Sequence, residues 1–381
     1  KRLSYSTVES SLGHFFGAVT EAIGFRYGND EGKTEALAAF GKETKAYNIL
    51  KSFFHVEELE IKGKLAPYHR NISLKFSHLL KDFRKEDSAY AAQRVLDETV
   101  TELVKNAIRI TGINHVVLAG GIFYNVKTNQ KIYQIPEVAD MYIYPAAGDS
   151  GVSIGAVLLD SHLHEGVKNK KTEHVYYGAS YSNDYIKSVL DKTDFEYEYI
   201  EDIGSYVGSE IIPNDSMVGW FRGSMEFGPR ALGARSILIS PKKLENKKKI
   251  LSTIKKRPEF QPFCPSITHE SMKDYVINDK NSEAPFMILA LTGTEKMVKE
   301  APATTFTDKS VRVQDVKREI NPEFHSLISN FGNTSGTPVL LNTSFNKSGQ
   351  AIVHTPEQAL YDLKNSGLDY LVLENYLVKK G

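Results

Sequence analysis

"GWFRGSMEFGPRALGARSI", Gly219 to Ile237, sets a buried-strand pattern directly against a glycine-rich polar turn. The entry, Met217-Val218-Gly219-Trp220-Phe221, is a short continuous apolar run of the kind that forms a covered strand. It runs into Arg222, Glu226, Arg230 and Arg235, with four glycines and Pro229 among them. Strands avoid that much glycine, and cores avoid that many guanidiniums. Guanidinium forks grip phosphate or carboxylate bidentately, and burying them without a matching anion is costly. The stretch therefore predicts backbone closing round an anion, with Glu226 orienting one arginine. A surface ion-pair network is the alternative reading.

Further along, Lys255, Lys256, Arg257 and Arg312 add cations of the same type. "LLNTSFN", residues 340–346, follows a strand entry with Asn342, Thr343, Ser344 and Asn346, neutral donors and acceptors suited to an amide-sized group. The run Lys242 to Arg257 is the most basic segment, and its first lysines read as a solvated helix face. Cys264, in "QPFCPSI", reads as a packed core thiol, and His14 as packed or half-buried.

The first half reads as α/β. Residues 87–110 carry apolar positions at helical spacing, with Asp87 or Ser88 as N-cap and Gly112 as the stop. "HVVLAGG" (115–121) and "MYIYPAAGDSG" (141–151) are strands ending on glycine turns, with a helix following from Val152 to about His162. Gly120 and Gly121 leave room for backbone N–H groups to approach a phosphate or an adenosine, with Asn125 close by. Gly148 and Asp149 place a carboxylate at a strand end, where it can ligate a divalent ion such as Mg²⁺ bridging phosphates. Lys33, in "GNDEGKTEALAAFGK", is a further phosphate candidate, although the spacing is not that of a P-loop. The polar stretch 164–174 reads as a linker, giving domains 1–168 and 169–381. Beyond it come helices near 183–192 and 356–366 and a strand in 337–345.

The 47 basic and 47 acidic side chains cancel, which argues against a dedicated nucleic-acid binder. A single cysteine excludes an intrachain disulfide and fits a reducing, cytoplasmic setting. No apolar run is long enough to span a bilayer, so no membrane is expected. The first residues lack both an initiator Met and a signal-peptide core, and read as a cut or processed end.

Taken together, "SLGHFFGAVTEAIGF", "DEGKTEALAAFGK", "LAGGIFYNVKTN" and "AAGDSGVSIGA" in the first half, and "GWFRGSMEFGPRALGARSILISP", "IKKRPEFQPFCPSI", "VRVQDV", "GTPVLLNTSFN" and "SGLDYLVLENYLV" in the second, resemble the O-carbamoyltransferases of antibiotic and nodulation-factor biosynthesis. The resemblance covers nearly the whole chain. It implies an acetate/sugar-kinase-superfamily domain followed by a YrdC-like domain. The second makes carbamoyl-adenylate from carbamoyl phosphate and ATP. The first passes the carbamoyl group to a hydroxyl of a small molecule or modified nucleoside, with a divalent metal, commonly Fe²⁺. By motif match, Arg230, Lys255, Arg312 and Ser344 fall where the family holds carbamoyl phosphate or the adenylate. Arg222, Glu226, Arg235, Arg257, Gln261, Asn342 and Asn346 are further substrate-binding candidates. Asp149 falls on the metal- and nucleotide-binding aspartate, and Gly120, Gly121 and Asn125 on the nucleotide turn. A homodimer is implied by resemblance only.

The chain departs from the family pattern in three places. The H-x-x-x-H pair and a further aspartate lie in a region upstream of its first residue, so most of the metal shell is not written here. Gln261 replaces an arginine. Phe306 and Ser310 replace a histidine and a threonine. Two other readings remain open at this point: a threonylcarbamoyl-type transferase acting on tRNA, and a degenerate nucleotide-binding protein without turnover.

Overall fold

The computed structural model of the chain describes residues 2–66, 68–168, 171–261 and 263–380. It is a mixed α/β protein that divides into two compact units, Lys1–Asp149 and Ser150–Gly381. The stretch read as a linker falls in the second unit, and its residues 169 and 170 lie outside the described residues.

The first unit runs through α1 (Leu12–Ala22), α2 (Glu31–Leu37), α3 (Lys45–Lys51), β1 (Phe54–Glu57), β2 (Glu60–Gly63), α4 (His69–Leu80), α5 (Lys85–Thr111), β3 (His115–Leu118), α6 (Val126–Tyr133) and β4 (Asp140–Ile143). Strands β1 and β2 form an antiparallel hairpin, while β3 and β4 pair in parallel. The long helix α5 is the spine, and it buries Ala91, Val95, Leu96, Val100 and Val104 at the spacing expected from the sequence. It ends at Thr111 with Gly112 as its C-cap, as expected. It starts at Lys85 rather than at an Asp87 or Ser88 cap, because Asp87 is buried and accepts the Lys42 N–H at 3.1 Å. Phe15 packs edge-on against Phe54 and Phe76, with ring centroids 5.0 and 5.8 Å apart. His14 is half-buried and meets the Tyr27 hydroxyl at 2.6 Å through Nδ1.

Asp97, on α5, was not singled out by its sequence position. Its Oδ1 accepts from the Thr128 hydroxyl at 2.7 Å and from Gln93 Nε2 at 2.8 Å. Burial is the larger effect and pushes its pKa up to about 6 from the ordinary 3.8. An acid with a raised folded pKa binds its proton more tightly in the folded state, so stability falls as pH rises from about 4 to about 6. Asp97→Asn is expected to flatten that part of the profile, read from urea midpoints between pH 4 and pH 7. An unchanged slope would remove Asp97 as its source.

The second unit contains α7 (Val152–His164), α8 (Asn183–Leu190), β5 (Tyr197–Tyr199), α9 (Ile203–Tyr206), β6 (Val218–Phe221), β7 (Arg235–Ile239), α10 (Leu244–Ile250), β8 (Cys264–Thr268) and α11 (Met272–Tyr275). It continues through β9 (Val276–Ile277), β10 (Ala290–Gly293), α12 (Glu295–Glu300), β11 (Ser310–Arg312), β12 (Gln314–Val316), α13 (Pro322–Ser335), β13 (Val339–Ser344), α14 (Pro356–Lys364), β14 (Tyr370–Leu373) and β15 (Tyr376–Lys379). An eight-stranded mixed sheet has the order β12-β8-β13-β7-β6-β14-β15-β5, and β11-β10-β9 form a smaller antiparallel sheet. The sequence-expected strands and helices of this half all form, and α14 carries a complete capping box between Thr355 and Gln358.

The period-2 geometry of strands divides the apolar residues between two cores. Ile237, Ile239, Leu341, Leu371 and Leu373 pack with Ile186, Ile250 and Leu360 from α8, α10 and α14. Leu238, Leu340, Val372, Val218 and Trp220 pack with Phe324, Leu327, Ile328 and Phe331 of α13. Covering on both faces explains why Val218-Gly219-Trp220-Phe221 is apolar at every position and buried throughout.

Candidate functional site

The stretch that opens the sequence analysis forms β6, a loop from Arg222 to Ala234, and β7. Strand β6 pairs with β7 in antiparallel register, Phe221 opposite Arg235, so the loop leaves and re-enters the sheet at neighbouring positions. Three groups hold its shape. Glu226 Oε1 accepts the backbone N–H groups of Leu232, Ala234 and Arg235 at 2.7, 2.7 and 3.1 Å. Trp220 Nε1 donates to the Gly233 carbonyl at 3.0 Å. Gly233 has φ +97° and lies so close to Phe324 that a Cβ would sit 2.3 Å from the ring. Glu226, expected to orient an arginine side chain, thus organises backbone.

The arginines separate into two kinds. Arg235 has no exposed surface. It donates to the carbonyls of Gly223, Ala234 and Ala179 at 3.0, 2.9 and 2.9 Å and stacks 3.6 Å from the Phe221 ring centroid. Arg222 donates to the Glu374 carbonyl at 2.8 Å and pairs with Glu323 at 3.1 Å. The terminal nitrogens of Arg235 and the Nη atoms of Arg222 are thus engaged by the fold, while Arg235 Nε has no hydrogen-bond partner among the described residues. Arg230 is partly buried midway along the loop.

A second set of cations gathers around the ends of β8, β11 and β13. Lys255, at the close of the turn after α10, is 3% exposed. Its Nζ donates to the Ser344 carbonyl and hydroxyl at 2.6 and 3.0 Å, and to the Asn346 carbonyl and Oδ1 at 3.0 and 2.6 Å. Burial first, and then the charge of Arg257, pushes its pKa well below the ordinary lysine value. Burial followed by repulsion from Arg312 lowers Arg257 to about 10. Arg312 donates its Nε–H to Cys264 Sγ at 2.7 Å. Cys264 is buried as expected, but in contact with this cation cluster and not purely with apolar side chains. Gln261 is half-buried nearby in sequence, and its Oε1 has no hydrogen-bond partner among the described residues. The Ser344 hydroxyl donates to Asn346 Oδ1 at 2.6 Å, and Asn346 Nδ2 donates to the Gln350 carbonyl at 2.5 Å.

A neutral network underlies the arginine loop. Asn342 lies opposite Cys264, and Gln314 opposite Ser266, in register. Asn342 Nδ2 donates to Ser266 Oγ, Gln314 Oε1 and the Ala231 carbonyl at 3.0, 3.2 and 3.4 Å. Gln314 Nε2 donates to the Leu232 carbonyl at 2.7 Å. Ser266 and Gln314 escaped the sequence reading. The available signal was a polar residue at every second position of otherwise buried strands, Cys264 then Ser266, and Arg312 then Gln314. Ser310 starts β11 with its hydroxyl donating to Asp308 at 2.8 Å, and the Phe306 N–H donates to the Ser310 carbonyl at 2.9 Å.

In the first unit the two glycine turns lie at the C-terminal ends of the parallel strands β3 and β4, the usual ligand-binding end of such strands. The Gly120 N–H donates to the Ala147 carbonyl at 2.7 Å, and Gly120 has φ +117°, a conformation open to glycine. Gly121 begins the short turn that follows. The Gly148 N–H donates to the Tyr124 hydroxyl at 3.0 Å. Asn125 is buried, caps α6 through Oδ1 to the Thr128 N–H at 3.0 Å, and exchanges hydrogen bonds with Gln93. Lys33 pairs with Asp30 at 2.8 Å. Asp149 is exposed, and among the described residues no group of three or more His, Cys, Asp or Glu side chains can hold a metal ion. The described residues by themselves do not make the divalent-metal site that the resemblance implied.

Comparison with known proteins gives the relationship. Residues 1–158 match the family described as carbamoyltransferase N-terminus, and residues 209–380 the one described as carbamoyltransferase C-terminus. The uncharacterized protein MJ1058 of Methanocaldococcus jannaschii is 35% identical over 97% of this chain and 62% of its own length. Nodulation protein NolO of Bradyrhizobium diazoefficiens is 30% identical, over 97% of this chain and 69% of its own. The 3'-hydroxymethylcephem-O-carbamoyltransferase of Amycolatopsis lactamdurans is 26% identical, over 91% of this chain and 64% of its own. The chain thus spans about two-thirds of the length of these relatives, and no helix among its described residues is long and apolar enough to cross a membrane. With both family regions present in order along one chain, it belongs to the carbamoyltransferase family.

Proposed function

We propose that the chain is the main part of an ATP-dependent O-carbamoyltransferase whose second unit, read as a YrdC-like domain, forms carbamoyl-adenylate. The observation that carries this is the cluster Lys255, Arg257 and Arg312. Burial and mutual repulsion lower the affinity of the first two for their protons, a cost that an anionic substrate would offset. Carbamoyl phosphate, ATP and water then balance with carbamoyl-adenylate, orthophosphate and pyrophosphate. The cations would hold the phosphoryl oxygens as charge shifts between them, with Arg230 on the overlying loop, and Ser344, Asn346 and Asn342 beside the carbamoyl end. Gly120, Gly121 and Gly148 would receive nucleotide in the first unit, read as a kinase-superfamily domain. There an acceptor hydroxyl would attack the carbamoyl carbon and expel AMP. The relative whose name states O-carbamoyl transfer to a hydroxymethylcephem supports a hydroxyl acceptor. No step here runs through a metal, because the described residues by themselves hold no group of three or more metal-ligating side chains.

The test omits the acceptor. The protein is incubated with ATP, Mg²⁺ and carbamoyl phosphate, and pyrophosphate and carbamoyl-adenylate are followed by mass spectrometry. Both products are expected, and Arg230→Ala is expected to reduce them about 10- to 100-fold, the effect of losing one charge-assisted contact. ATP bound without any product would instead favour a nucleotide-binding protein, in line with glutamine at position 261.

A further inference from the structure

The second unit holds a cavity of about 120 Å³ that Leu232 helps to line and that is walled by none of Lys255, Arg257 or Arg312. Its walls come from Leu232 and from residues within the segments 173–176, 283–286 and 314–321. The end of the lysine-rich stretch, read from sequence as a linker, is therefore one wall of a cavity.

That wall is fastened down. Tyr176 bridges to Glu226, the Phe227 N–H donates to the Val175 carbonyl at 2.7 Å, and the Gly178 N–H donates to the Met225 carbonyl at 2.9 Å. The Tyr176 hydroxyl donates to the Leu232 carbonyl at 2.8 Å and accepts from Asn321 Nδ2 at 3.2 Å. The cavity is a product of fixed backbone and not of loose side chains.

Its chemistry differs from that of the cation cluster. Four carboxylates line it, Glu173, Glu283, Asp315 and Glu319. Two lysines oppose them, Lys317 and Lys171, both paired with Glu283 at 2.6 and 2.8 Å. Asp315 is 6% exposed, and His269 Nδ1 is its side-chain contact, at 3.0 Å from each oxygen. Val175, Pro285, Phe286 and the rings of His174 and Tyr176 supply apolar and aromatic wall, and Gln314 and Asn321 add two amides. His174 Nδ1 is buried with no hydrogen-bond partner among the described residues, a cost that a polar ligand atom or a water would remove. Apolar walls with a surplus of carboxylate suit an ammonium carried on a small apolar body, which gains both charge pairing and contact with ring faces.

We propose that this cavity is a second ligand site, for a small organic ammonium ion, separate from the anion site. Leu232 links the two, since it lines the cavity and belongs to the loop that carries Arg230.

The probe is benzylamine, with benzyl alcohol as its neutral counterpart of nearly equal size, titrated into the whole chain by calorimetry and by ligand-observed NMR. Benzylamine is expected to bind at least about 10-fold more tightly than the alcohol, as one charge-assisted contact requires. Glu173→Gln, at an exposed rim position, and Asp315→Asn are each expected to weaken benzylamine several-fold while leaving the alcohol unchanged. Equal affinities for the two probes would overturn the proposal. So would the absence of binding, or benzylamine binding that neither variant alters.

Discussion

Lys255→Met is expected to abolish carbamoyl-adenylate formation, with at least a 100-fold loss of pyrophosphate release. Two effects combine. The ammonium is the most buried charge of the cluster, and removing one preorganised charged donor from a water-poor site costs about 10²–10³ in rate. It also leaves Ser344 and Asn346 with four acceptor contacts unmet. Unfilled buried acceptors cost about 1–3 kcal/mol each in the unfavourable limit, so part of the loss is a shift of the Ser344–Asn346 turn. Lys255→Arg should not rescue. Four oxygens converge on one nitrogen atom, and a planar fork spreads its protons over three. Thermal melts and ATP binding by calorimetry separate collapse of the site from loss of chemistry. Turnover near the parent rate in Lys255→Met, with the fold intact, would put the reaction elsewhere.

The second large effect concerns stability. Gly233→Ala places a methyl 2.3 Å from the Phe324 ring at a residue with φ +97°. Positive φ costs about 1–3 kcal/mol for a residue with a Cβ, and overpacking a filled core costs about as much again. The sum, about 2–6 kcal/mol, is a large part of the stability of a typical domain. Relief would require the loop to lift, which breaks the Trp220 bond to the Gly233 carbonyl and moves the support of Arg230. Urea denaturation should therefore show an early transition, and the variant should lose adenylate formation even where it stays folded. A midpoint equal to that of the parent chain would show that the loop tolerates a different path.

Much of this was legible along the chain. Val218 to Phe221, Val339 to Ser344 and the helices expected at 87–110 and 356–366 follow from apolar periodicity and glycine or proline punctuation, although the first helix starts at Lys85 without the expected Asp87 or Ser88 cap. The cast of cations and amides was legible too, since the glycines around Arg230 and the polar residues after Leu341 mark the strand ends. The family relationship too was carried by sequence motifs, and both family regions match in the expected order.

Which arginine does what was not legible. Arg222, Arg230 and Arg235 look alike in sequence, yet Arg235 is consumed by the carbonyls of Gly223 and Ala179, and Arg222 by Glu374 and Glu323. Those acceptors arrive from distant segments, and a guanidinium takes whichever oxygens the tertiary fold brings to it. The same holds for Glu226, whose oxygen is claimed by three backbone N–H groups once the loop closes, and for Cys264, which Arg312 reaches from another strand. Periodicity and turn chemistry act within a few residues, so the sequence by itself determined the elements and the cast of charged groups. Hydrogen bonds and charge act through space, so only the packed sheet decided which cations hold the fold and which gather around the proposed anion site.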